Sequence, residues 1–467
     1  MNIPDRLPAV LAAAAMGVYL LVVVGATTSL TEAATACGGW PACGNGAALP
    51  ASTEGWIALG HRVLAVAVGL LVALSAALAW RDDADRRVTA ALLAALAVYP
   101  AQAGVGALVA LGDLPAPLAS AHLLLGVGIF GAVLAALAWR LESVTGEPDD
   151  APDEFEPGTD GLPPVEEAPE PDLPTTTLPR LKATAAAYFR LMKPRLMWLL
   201  CLVAAAAMAL AGGSGFTPRV VAATLVSGAL AVGASGTFNH VFERDVDKRM
   251  QRTSDRPLAT DLVPVSHALA FGGLLTLVSL GLFWRVNPLT AALGLVAIAF
   301  YSVVYTLVLK PNTVQNTVIG GAAGALPALI GWAAVTGEVG GGGLLLAAVI
   351  FLWTPTHFYN LALAYKDDYE RGGFPMMPVV RGETATRRHI LWYFGATLIA
   401  AVALAAAVDP LGALYAVVGV VVGAVFLWTV VRLHYEQTEG AAFRAFHASN
   451  PYLGLLLFAV VFDALVV

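Results

Sequence analysis

The segment NHVFERDVDKRMQRTSDRPL, residues 239–258, directly follows an apolar run and carries a dense group of acidic and basic side chains. Within it, Asn239, Glu243 and Asp247 are each four residues apart. On a helix each such step drifts by only about 40°, so the three side chains share one face. One amide and two carboxylates offer oxygen ligands, which suit a hard divalent ion such as Mg²⁺. The spacing therefore predicts a metal site at the end of this apolar run.

Three arginines, Arg249, Arg252 and Arg256, follow the acids. Guanidinium groups do not bind metals, but they bind phosphate oxygens, bidentately where the geometry allows. A second acidic pair, Asp367 and Asp368, follows a later apolar run. Acids for a metal and bases for an anion together predict a metal–diphosphate site. The alternative is that these charges only anchor loops at the membrane surface.

The composition places these residues in a membrane protein. The chain has 467 residues, of which 58% are hydrophobic and 13% are charged, whereas a soluble domain carries about 25% charged residues. Apolar runs of about 20 residues recur, and each is long enough to cross a bilayer. The net charge of −7 therefore says little about partners, and nothing in the sequence indicates a nucleic acid. We expect an all-α polytopic membrane protein with about thirteen spans.

The apolar runs form two groups. The first four lie near 9–27, 57–80, 88–111 and 117–139. The other nine lie near 195–213, 218–239, 265–284, 288–309, 315–335, 343–364, 390–408, 411–431 and 452–467. The acidic, Pro-rich stretch between the groups is too poor in apolar residues to bury a core, which predicts a disordered linker. The predicted domains are a four-helix domain at 1–140, the linker at 141–184 and a nine-helix domain at 185–467.

The basic residues predict the orientation. With the N-terminus in the cytoplasm and the spans alternating, only Arg62, Arg219 and Arg285 of the 26 Lys and Arg fall on the outer side. An excess of basic residues in the loops of one side marks the cytoplasmic face. Segment 239–258 and the second acidic pair then emerge together on that face.

Four stretches in the second group of spans carry a resemblance to a known family. They are FRLMKPRLMWL (189–199), ERDVDKRMQRTSDRPL (243–258), YTLVLKPNTVQNTVIGGAAGALPALIGW (305–332) and TPTHFYNLALAYKDDYERGGFPMMPVV (354–380). Together they are similar to the haem O synthases, or protohaem IX farnesyltransferases, of the intramembrane prenyltransferase superfamily. The resemblance covers about residues 185–467 and implies a bundle of nine spanning helices, which matches the number of apolar runs.

Three positions depart from the pattern of that family. Glu243 stands where an Asp is usual, Pro311 stands where a basic residue is common, and Ala328 stands where a second Pro is common. The change at Pro311 reduces the positive charge expected around a diphosphate.

The resemblance implies transfer of a farnesyl group from farnesyl diphosphate to a vinyl group of haem b. The product is haem o, which carries a hydroxyethylfarnesyl side chain. The catalytic residues and Mg²⁺ ligands that it implies are Asn239, Glu243, Asp247, Asp367 and Asp368. The substrate-binding residues that it implies are Arg249, Arg252, Arg256, Lys310, Lys366, Arg371 and His357. We expect Asp247 and Asp367 at water-exposed helix ends. For His357, inside the tenth span, contact with haem and a structural hydrogen bond stay open as alternatives.

The first four spans carry different residues. Cys37 and Cys43 lie in the loop after the first span, outside the cytoplasm, where we expect a disulfide between them. His61 and His122 open the second and fourth spans from the same side and at matching depth. Two such histidines can ligate one haem iron axially. The alternative for each is a structural histidine with a satisfied hydrogen bond.

This part resembles one half of the haem A synthase family. The resemblance rests on the Cys–Trp–Pro–Cys loop, on the His–Arg pair that opens the second span, and on QAGVGALVALGDLPAPLASAHLLLG (102–126). That family places a Glu one helical turn before the first His, and this chain has Ala58 there. The resemblance implies haem b bound by the domain. Because of Ala58 we expect little or no oxidation of haem o to haem a by this domain alone, and whether it is catalytic or only binds haem stays open.

Two other functions stay open. One keeps the prenyltransferase fold and changes the acceptor to a quinone or lipid precursor. The other is a non-catalytic haem carrier or an assembly factor for cytochrome oxidase, which would not need intact acidic groups. The expected location is the cell membrane, with haem A synthase or cytochrome oxidase assembly proteins as partners. The length of the prenyl chain, the oligomeric state and the role of Asp245 stay open.

Overall fold

The protein is all helical in the part that the computed structural model describes. The described residues are 6–30, 36–37, 39–43, 49–112, 116–147, 177–409 and 411–466. The first helices are α1 (Leu7–Leu30), α2 (Thr53–Arg81), α3 (Arg86–Leu111) and α4 (Ala116–Thr145). The next are α5 (Thr177–Leu191), α6 (Pro194–Ala211), α7 (Pro218–Phe242), α8 (Arg244–Asp247), α9 (Val265–Val286) and α10 (Pro288–Ala299). A π-helix (Phe300–Leu309) precedes α11 (Lys310–Asn312), α12 (Asn316–Thr336), α13 (Gly341–Ala364) and α14 (Lys366–Arg371). The last are α15 (Met377–Ala407), α16 (Ala413–Glu436) and α17 (Glu439–Val466).

Thirteen helical segments in these described ranges are long and apolar enough to cross a bilayer. Four of them end by Thr145 and nine begin at Pro194 or later, which confirms the number and the division predicted from the sequence. The last span begins at Glu439, earlier than the predicted residue 452. The polar turns before Asn450 continue the helix, and a search for apolar runs does not detect them.

Short polar residues and prolines set the helix starts. The side chains of Ser52, Thr217 and Asn287 accept hydrogen bonds from the backbone N–H three residues on, which satisfies one of the unpaired amides of a first turn. Pro218 and Pro288 then occupy the first helical position, where the missing N–H costs nothing. These capping residues and prolines therefore mark the starts of the spans in the sequence.

The residues group by their contacts into two compact units. One contains Met1–Pro148 and Arg387–Tyr452, and the other contains Asp149–Thr386 and Leu453–Val466. In the first unit α1 packs against α2, α4 and α16, and α3 packs against α4. In the second unit α7 packs against α9, and α12 packs against α6 and α13. The predicted domains at 1–140 and 185–467 follow the sequence rather than these contacts, and they stay a prediction.

The predicted linker at 141–184 is helical at both ends. Helix α4 continues to Thr145, and α5 begins at Thr177. Residues 148–176, which carry most of the predicted linker, lie outside the described residues.

A glycine in α7 allows a close approach that matters for the site. A Cβ atom at Gly236 would lie 2.9 Å from the Leu191 carbonyl oxygen and 3.2 Å from Cγ of Lys193. Only a residue without a side chain fits there, so Gly236 brings α7 against the junction between α5 and α6. At that junction Lys193 has a left-handed backbone, with φ 54° and ψ 58°. Such a backbone is uncommon for a residue with a side chain, and the following Pro194 restricts it further.

Candidate active site

The three predicted ligands of the first acidic group lie on one continuous helical path. The Glu243 N–H donates to the Asn239 carbonyl at 2.9 Å, and the Asp247 N–H donates to the Glu243 carbonyl at 2.8 Å. The four-residue steps of the sequence are therefore kept across the end of α7 and through α8. All three side chains are buried, and Asp247 is only 2% exposed. The expectation that Asp247 lies at a water-exposed helix end is wrong, because the following segment folds back and pairs with it.

Arg256 and Lys310 provide the positive charges next to the two carboxylates. Arg256 Nη1 lies 2.8 Å from both carboxylate oxygens of Asp247 and 3.8 Å from Oε2 of Glu243. Lys310 Nζ donates to Oε1 of Glu243 at 2.6 Å and lies 4.2 Å from the ring centre of Phe374. Each buried carboxylate thus has a cationic partner, as burial of a charge requires.

Two further residues, Lys193 and Tyr301, complete this group. Lys193 Nζ donates to Oδ1 of Asn239 and to the Tyr301 hydroxyl at 3.2 Å. Asn239 Nδ2 donates in turn to Oγ1 of Thr306 at 3.1 Å. Neither residue could be singled out from the sequence, because a lysine beside a span is usually a membrane-border anchor and a tyrosine inside one is usually core. The unusual signal was the Lys193–Pro194 pair in the stretch FRLMKPRLMWL.

The π-helix explains how Tyr301, Thr306 and Lys310 reach the same site. The Thr306 hydroxyl donates to the Tyr301 carbonyl at 2.8 Å, and the Lys310 N–H donates to the Tyr305 carbonyl. The Lys310 bond joins backbone groups five residues apart, as in a π-helix, whereas the Thr306 bond is a side-chain bond to the carbonyl of the fifth residue back. On an α-helix, residues five apart point about 140° away from each other. The wider turn therefore places on one face residues that an α-helix would separate.

The second acidic pair divides into one buried and one exposed residue. Asp368 is 3% exposed, and its Oδ1 accepts from the Gln251 N–H at 2.8 Å. Its Oδ2 accepts from the Arg252 N–H at 3.0 Å, and Arg371 Nη2 donates to Oδ1 at 2.6 Å. Asp367 is exposed, as expected. Within the described ranges no three His, Cys, Asp or Glu side chains are grouped to hold a metal, so the five predicted ligands do not meet at one point.

Three arginines near this pair keep buried nitrogen atoms without a hydrogen-bond partner among the described residues. These atoms are Nε and Nη1 of Arg249, Nε of Arg252 and Nε of Arg371. The Arg252 guanidinium carbon lies 5.3 Å from the ring centre of Tyr365 and 5.6 Å from that of Tyr369. Because buried polar groups are normally hydrogen-bonded, several open guanidinium nitrogens indicate a place for an anion.

Lys366 and His357 are the two remaining predicted substrate-binding residues. Lys366 Nζ lies 3.1 Å from Oε1 of Glu383, so it forms an ion pair of its own. His357 is buried in α13 and stacks on Trp353, with ring centres 4.4 Å apart. It also contacts the edge of Phe358 at 5.1 Å. The aromatic surroundings leave both readings of His357 open, a contact with a flat ligand and a structural role.

Glu243 and Asp247 are the predicted ligands whose side chains face a common group. Both carboxylates converge on Arg256 Nη1, so they already face a common positive group. Oxygen atoms are the ligands that Mg²⁺ prefers. The donor set therefore suits the metal predicted from the sequence.

In the first unit, His61 on α2 and His122 on α4 carry the other predicted ligand atoms. Nδ1 of each ring is buried without a hydrogen-bond partner among the described residues. Nε2 of His122 lies 3.3 Å from Nε2 of Gln102. Glycines face both rings: a Cβ atom would lie 3.5 Å from His61 Cε1 at Gly25 and 2.7 Å from His122 Cε1 at Gly106. Each ring therefore has a glycine on one side, and its Nδ1 atom has no hydrogen-bond partner among the described residues.

The loop after α1 lies against the start of α2. Cys37 and Cys43 are joined by a disulfide, and both sulfurs lie near the Gly55 carbonyl. Ala58, one helical turn before His61, is buried in a cluster with the two cysteines. A carboxylate at this position would have to displace that apolar contact.

Arg62 ties the same loop to α2. Its Nη1 donates to the carbonyl oxygens of Gly39 at 2.8 Å, Pro41 at 3.1 Å and Ala42 at 3.2 Å. Because Arg62 directly follows His61, these three bonds hold the disulfide loop next to that part of α2.

Comparison with known proteins identifies the family of the chain. Residues 199–455 match the UbiA prenyltransferase family. A protoheme IX farnesyltransferase of Haloquadratum walsbyi is 60% identical over 467 residues, covering 99% of this chain and 97% of that protein. The chain belongs to the protoheme IX farnesyltransferases of the UbiA prenyltransferase family. The relative of that name from Haloarcula marismortui is 61% identical over 455 residues, covering 97% of each chain.

A shorter member of the family and a second match divide the chain. The protoheme IX farnesyltransferase of Mycobacterium avium is 43% identical over 295 residues, which is 62% of this chain and 95% of that protein. Residues 51–158 match a family described as cytochrome oxidase assembly protein. This prenyltransferase is therefore longer than some of its relatives, and it carries a second family match in its first part.

Two solved structures resemble the fold. A digeranylgeranylglyceryl phosphate synthase is 14% identical with a TM-score of 0.49, covering 61% of this chain and 100% of that chain. A UbiA homolog from Archaeoglobus fulgidus bound to DMAPP and Mg²⁺ is 19% identical with a TM-score of 0.44, covering 59% of this chain and 98% of that chain. The assignment to the farnesyltransferase family rests on the sequence matches.

The charges of this prenyltransferase site perturb one another. Burial, together with the nearby cations Arg256 and Lys310, lowers the pKa of Lys193 to about 7 against the opposing effect of the two carboxylates. Burial alone would raise the pKa of Glu243, but Lys310, Lys193 and Arg256 outweigh it and hold that pKa below its ordinary value. For Asp247, burial raises the pKa, and Arg256 offsets this only in part.

Proposed function

We propose that the protein transfers the farnesyl group of farnesyl diphosphate to a vinyl group of haem b and so forms haem o. The observation that carries this proposal is the buried group formed by Glu243, Asp247, Arg256, Lys310 and Lys193. It combines carboxylates for a metal with cations for a diphosphate. The 60% identity with a protoheme IX farnesyltransferase over nearly the whole chain supports farnesyl and haem as the substrates.

The reaction needs no nucleophilic side chain. The bond between C1 of farnesyl and the diphosphate oxygen breaks, and the diphosphate keeps the electron pair. The electron-rich vinyl carbon attacks the allylic cation and forms the new C–C bond. Water then adds to the resulting cation and releases a proton to solvent, which gives the hydroxyethylfarnesyl group. The contribution of the protein is to stabilise the charge that develops on the leaving group.

The cations of the site bind that leaving group. When diphosphate enters, Arg256 and Lys310 can exchange their carboxylate partners for phosphate oxygens, since both lie within hydrogen-bond reach of the carboxylates. Protonated Lys193 adds a third cation, and the open nitrogens of Arg249 and Arg252 add donors in the adjacent segment.

Glu243 and Asp247 are the proposed Mg²⁺ ligands, with Asn239, one helical step earlier on the same path, as a further oxygen donor. Bound Mg²⁺ supplies a Lewis acid that neutralises the developing charge on the diphosphate. Release of the carboxylates from Arg256 and Lys310 makes their oxygens available to it.

Haem is the proposed ligand of the first unit as well. The open Nδ1 atoms of His61 and His122 support axial ligation of one haem b, and the match of residues 51–158 to cytochrome oxidase assembly proteins supports a role in handing haem on. The proposed location is the cell membrane, with the N-terminus and the prenyl-transfer site on the cytoplasmic side. Haem A synthase and cytochrome oxidase assembly proteins are the proposed partners.

Mass spectrometry of extracted haems tests the proposal. The full-length protein, purified in detergent, is incubated with haem b, farnesyl diphosphate and Mg²⁺. We expect haem o as the product, and we expect none when the metal is chelated. If haem b stays unchanged and a quinone or lipid precursor is prenylated under the same conditions, that precursor and not haem is the acceptor. Haem binding with no transfer to any acceptor would favour a carrier.

A further inference from the structure

The carboxylate of Asp368 joins two segments that are far apart in the chain. It comes from α14, and it accepts the backbone N–H groups of Gln251 and Arg252 at 2.8 and 3.0 Å. Arg371, on its own helix, donates to it at 2.6 Å. A carboxylate has about four lone-pair sites, and three of them are used by these bonds. Asp368 is also 3% exposed, so little of it is open to a further ligand.

The segment that Asp368 holds is the one that carries the arginines of the site. Gln251 and Arg252 lie between Arg249 and Arg256. Hydrogen bonds from N–H groups to an ionised carboxylate are roughly twice as strong as neutral ones, so these two bonds restrict the segment strongly. Thr253 adds a local bond, from its hydroxyl to the Asp247 carbonyl at 3.1 Å.

Two kinds of packing act on the same segment. The Arg252 guanidinium lies over the rings of Tyr365 and Tyr369. Met250 is buried in an apolar cluster with Tyr369 and Phe374. The segment therefore has apolar and cation–π contacts of its own, and Asp368 adds the directional bonds that set the position of its backbone.

From this geometry we infer that Asp368 is a positioning residue of the farnesyl transfer site rather than a metal ligand. It fixes the backbone at Gln251 and Arg252, so that the guanidinium groups of Arg249, Arg252 and Arg256 are held where they bind the diphosphate. The inference rests on the proposed function for its kinetic consequence, but the positioning itself does not require turnover.

The kinetic test compares three variants of the full-length protein. Asp368→Asn should raise the KM for farnesyl diphosphate by about tenfold, the scale of one lost charge-assisted hydrogen bond, while the Mg²⁺ concentration for half-maximal rate stays unchanged. Asp247→Asn should instead raise the Mg²⁺ requirement. Glu370→Gln removes one charge from the exposed face of the same helix and should change neither constant. A rise in the Mg²⁺ requirement of Asp368→Asn to match Asp247→Asn would identify Asp368 as a ligand and overturn the inference.

Hydrogen exchange of the peptide around Gln251 and Arg252 provides a readout that is independent of activity. Without substrates, Asp368→Asn should speed exchange of these two amides at least tenfold relative to the parent protein, whereas Glu370→Gln should not. Unchanged exchange in a folded Asp368→Asn protein would refute the positioning role even if turnover falls. If exchange changes as expected but the parent protein farnesylates no haem, only the proposed function fails.

Discussion

Around Glu243 and Asp247 the buried carboxylates face cations, whereas His61 and His122 keep ring nitrogens without a partner among the described residues. The difference follows from charge. A buried carboxylate is costly unless a cation offsets it, while a neutral imidazole can be buried with one open nitrogen at smaller cost. The first site must therefore exchange ion pairs when its substrate binds, and the second offers a neutral ligand atom directly.

The two sites also differ in the interactions that a ligand must replace when it binds. At the acidic site, diphosphate and metal together must replace interactions that already exist, so each partner of an ion pair contributes to the balance. At the histidines, the iron of the proposed haem would meet Nδ1 atoms that have no hydrogen bond to lose among the described residues. Substitutions should accordingly act on turnover and on stability at the first site, and on ligand occupancy alone at the second.

The largest effect is expected for Asp247→Asn. The amide keeps the shape but cannot offer a charged ligand, so farnesyl transfer should fall about 1,000-fold, the scale of losing one major electrostatic contribution. The rate of haem o formation at saturating Mg²⁺ measures this. Asp245→Asn is the matched control, because Asp245 lies on the same short helix, is exposed and pairs with Arg244. Full activity of Asp247→Asn would show that Asp247 does not contribute to the farnesyl transfer site.

A smaller loss, of about 100-fold, is expected for Lys310→Met. This substitution also leaves Glu243 buried without its nearest cation, which destabilises the fold by about 3–5 kcal/mol. The double variant Lys310→Met/Glu243→Gln removes both charges and should recover most of the thermal stability without recovering activity. Thermal unfolding and haem o formation measure the two effects. A double variant as unstable as the single one would show that the pair is not coupled.

The pH dependence should identify Lys193. Its pKa of about 7 in the free enzyme means that it is charged below that pH and loses its charge as the pH rises. Since kcat/KM reports ionisations of the free enzyme, kcat/KM for farnesyl diphosphate should decline above pH 7, by up to about tenfold per unit for one required proton. The arginine of Lys193→Arg keeps its charge at all these pH values, so kcat/KM of this variant should decline less. Identical profiles for both proteins would exclude Lys193 as the titrating group.

The smallest effect on farnesyl transfer is expected for His61→Ala, which should leave the rate of haem o formation unchanged. The same variant should lose a low-spin haem signal in the absorption spectrum of the purified protein, because axial ligation by two histidines needs both. His122→Ala should give the same result, and His267→Ala, at the start of α9, is a control outside the pair. Persistence of the low-spin signal in both variants would place the haem elsewhere.

The sequence alone determined the class of the protein and its chemical parts. The length and apolar composition of a run decide whether it can cross a bilayer, so thirteen spans could be predicted, and the described part of the structure has thirteen helical segments of that kind. The four-residue spacing of Asn239, Glu243 and Asp247 could be predicted because a helix repeats locally. Cys37 and Cys43 could be paired because a loop of this length brings them together.

Only the tertiary structure decided which charges meet. Asp247 was expected in water, but Arg256 returns from a later turn and buries it. Lys193 lies 46 residues from Asn239, and Gly236 and the left-handed backbone of Lys193 bring the two together. The π-helix places Tyr301 and Lys310 on one side through bonds that no apolar periodicity reveals. The two aspartates of the second pair are neighbours in sequence, yet one is exposed and the other holds the backbone of a distant segment. Contacts of this kind depend on where separate helices pack, and a single chain read residue by residue does not contain that information in local form.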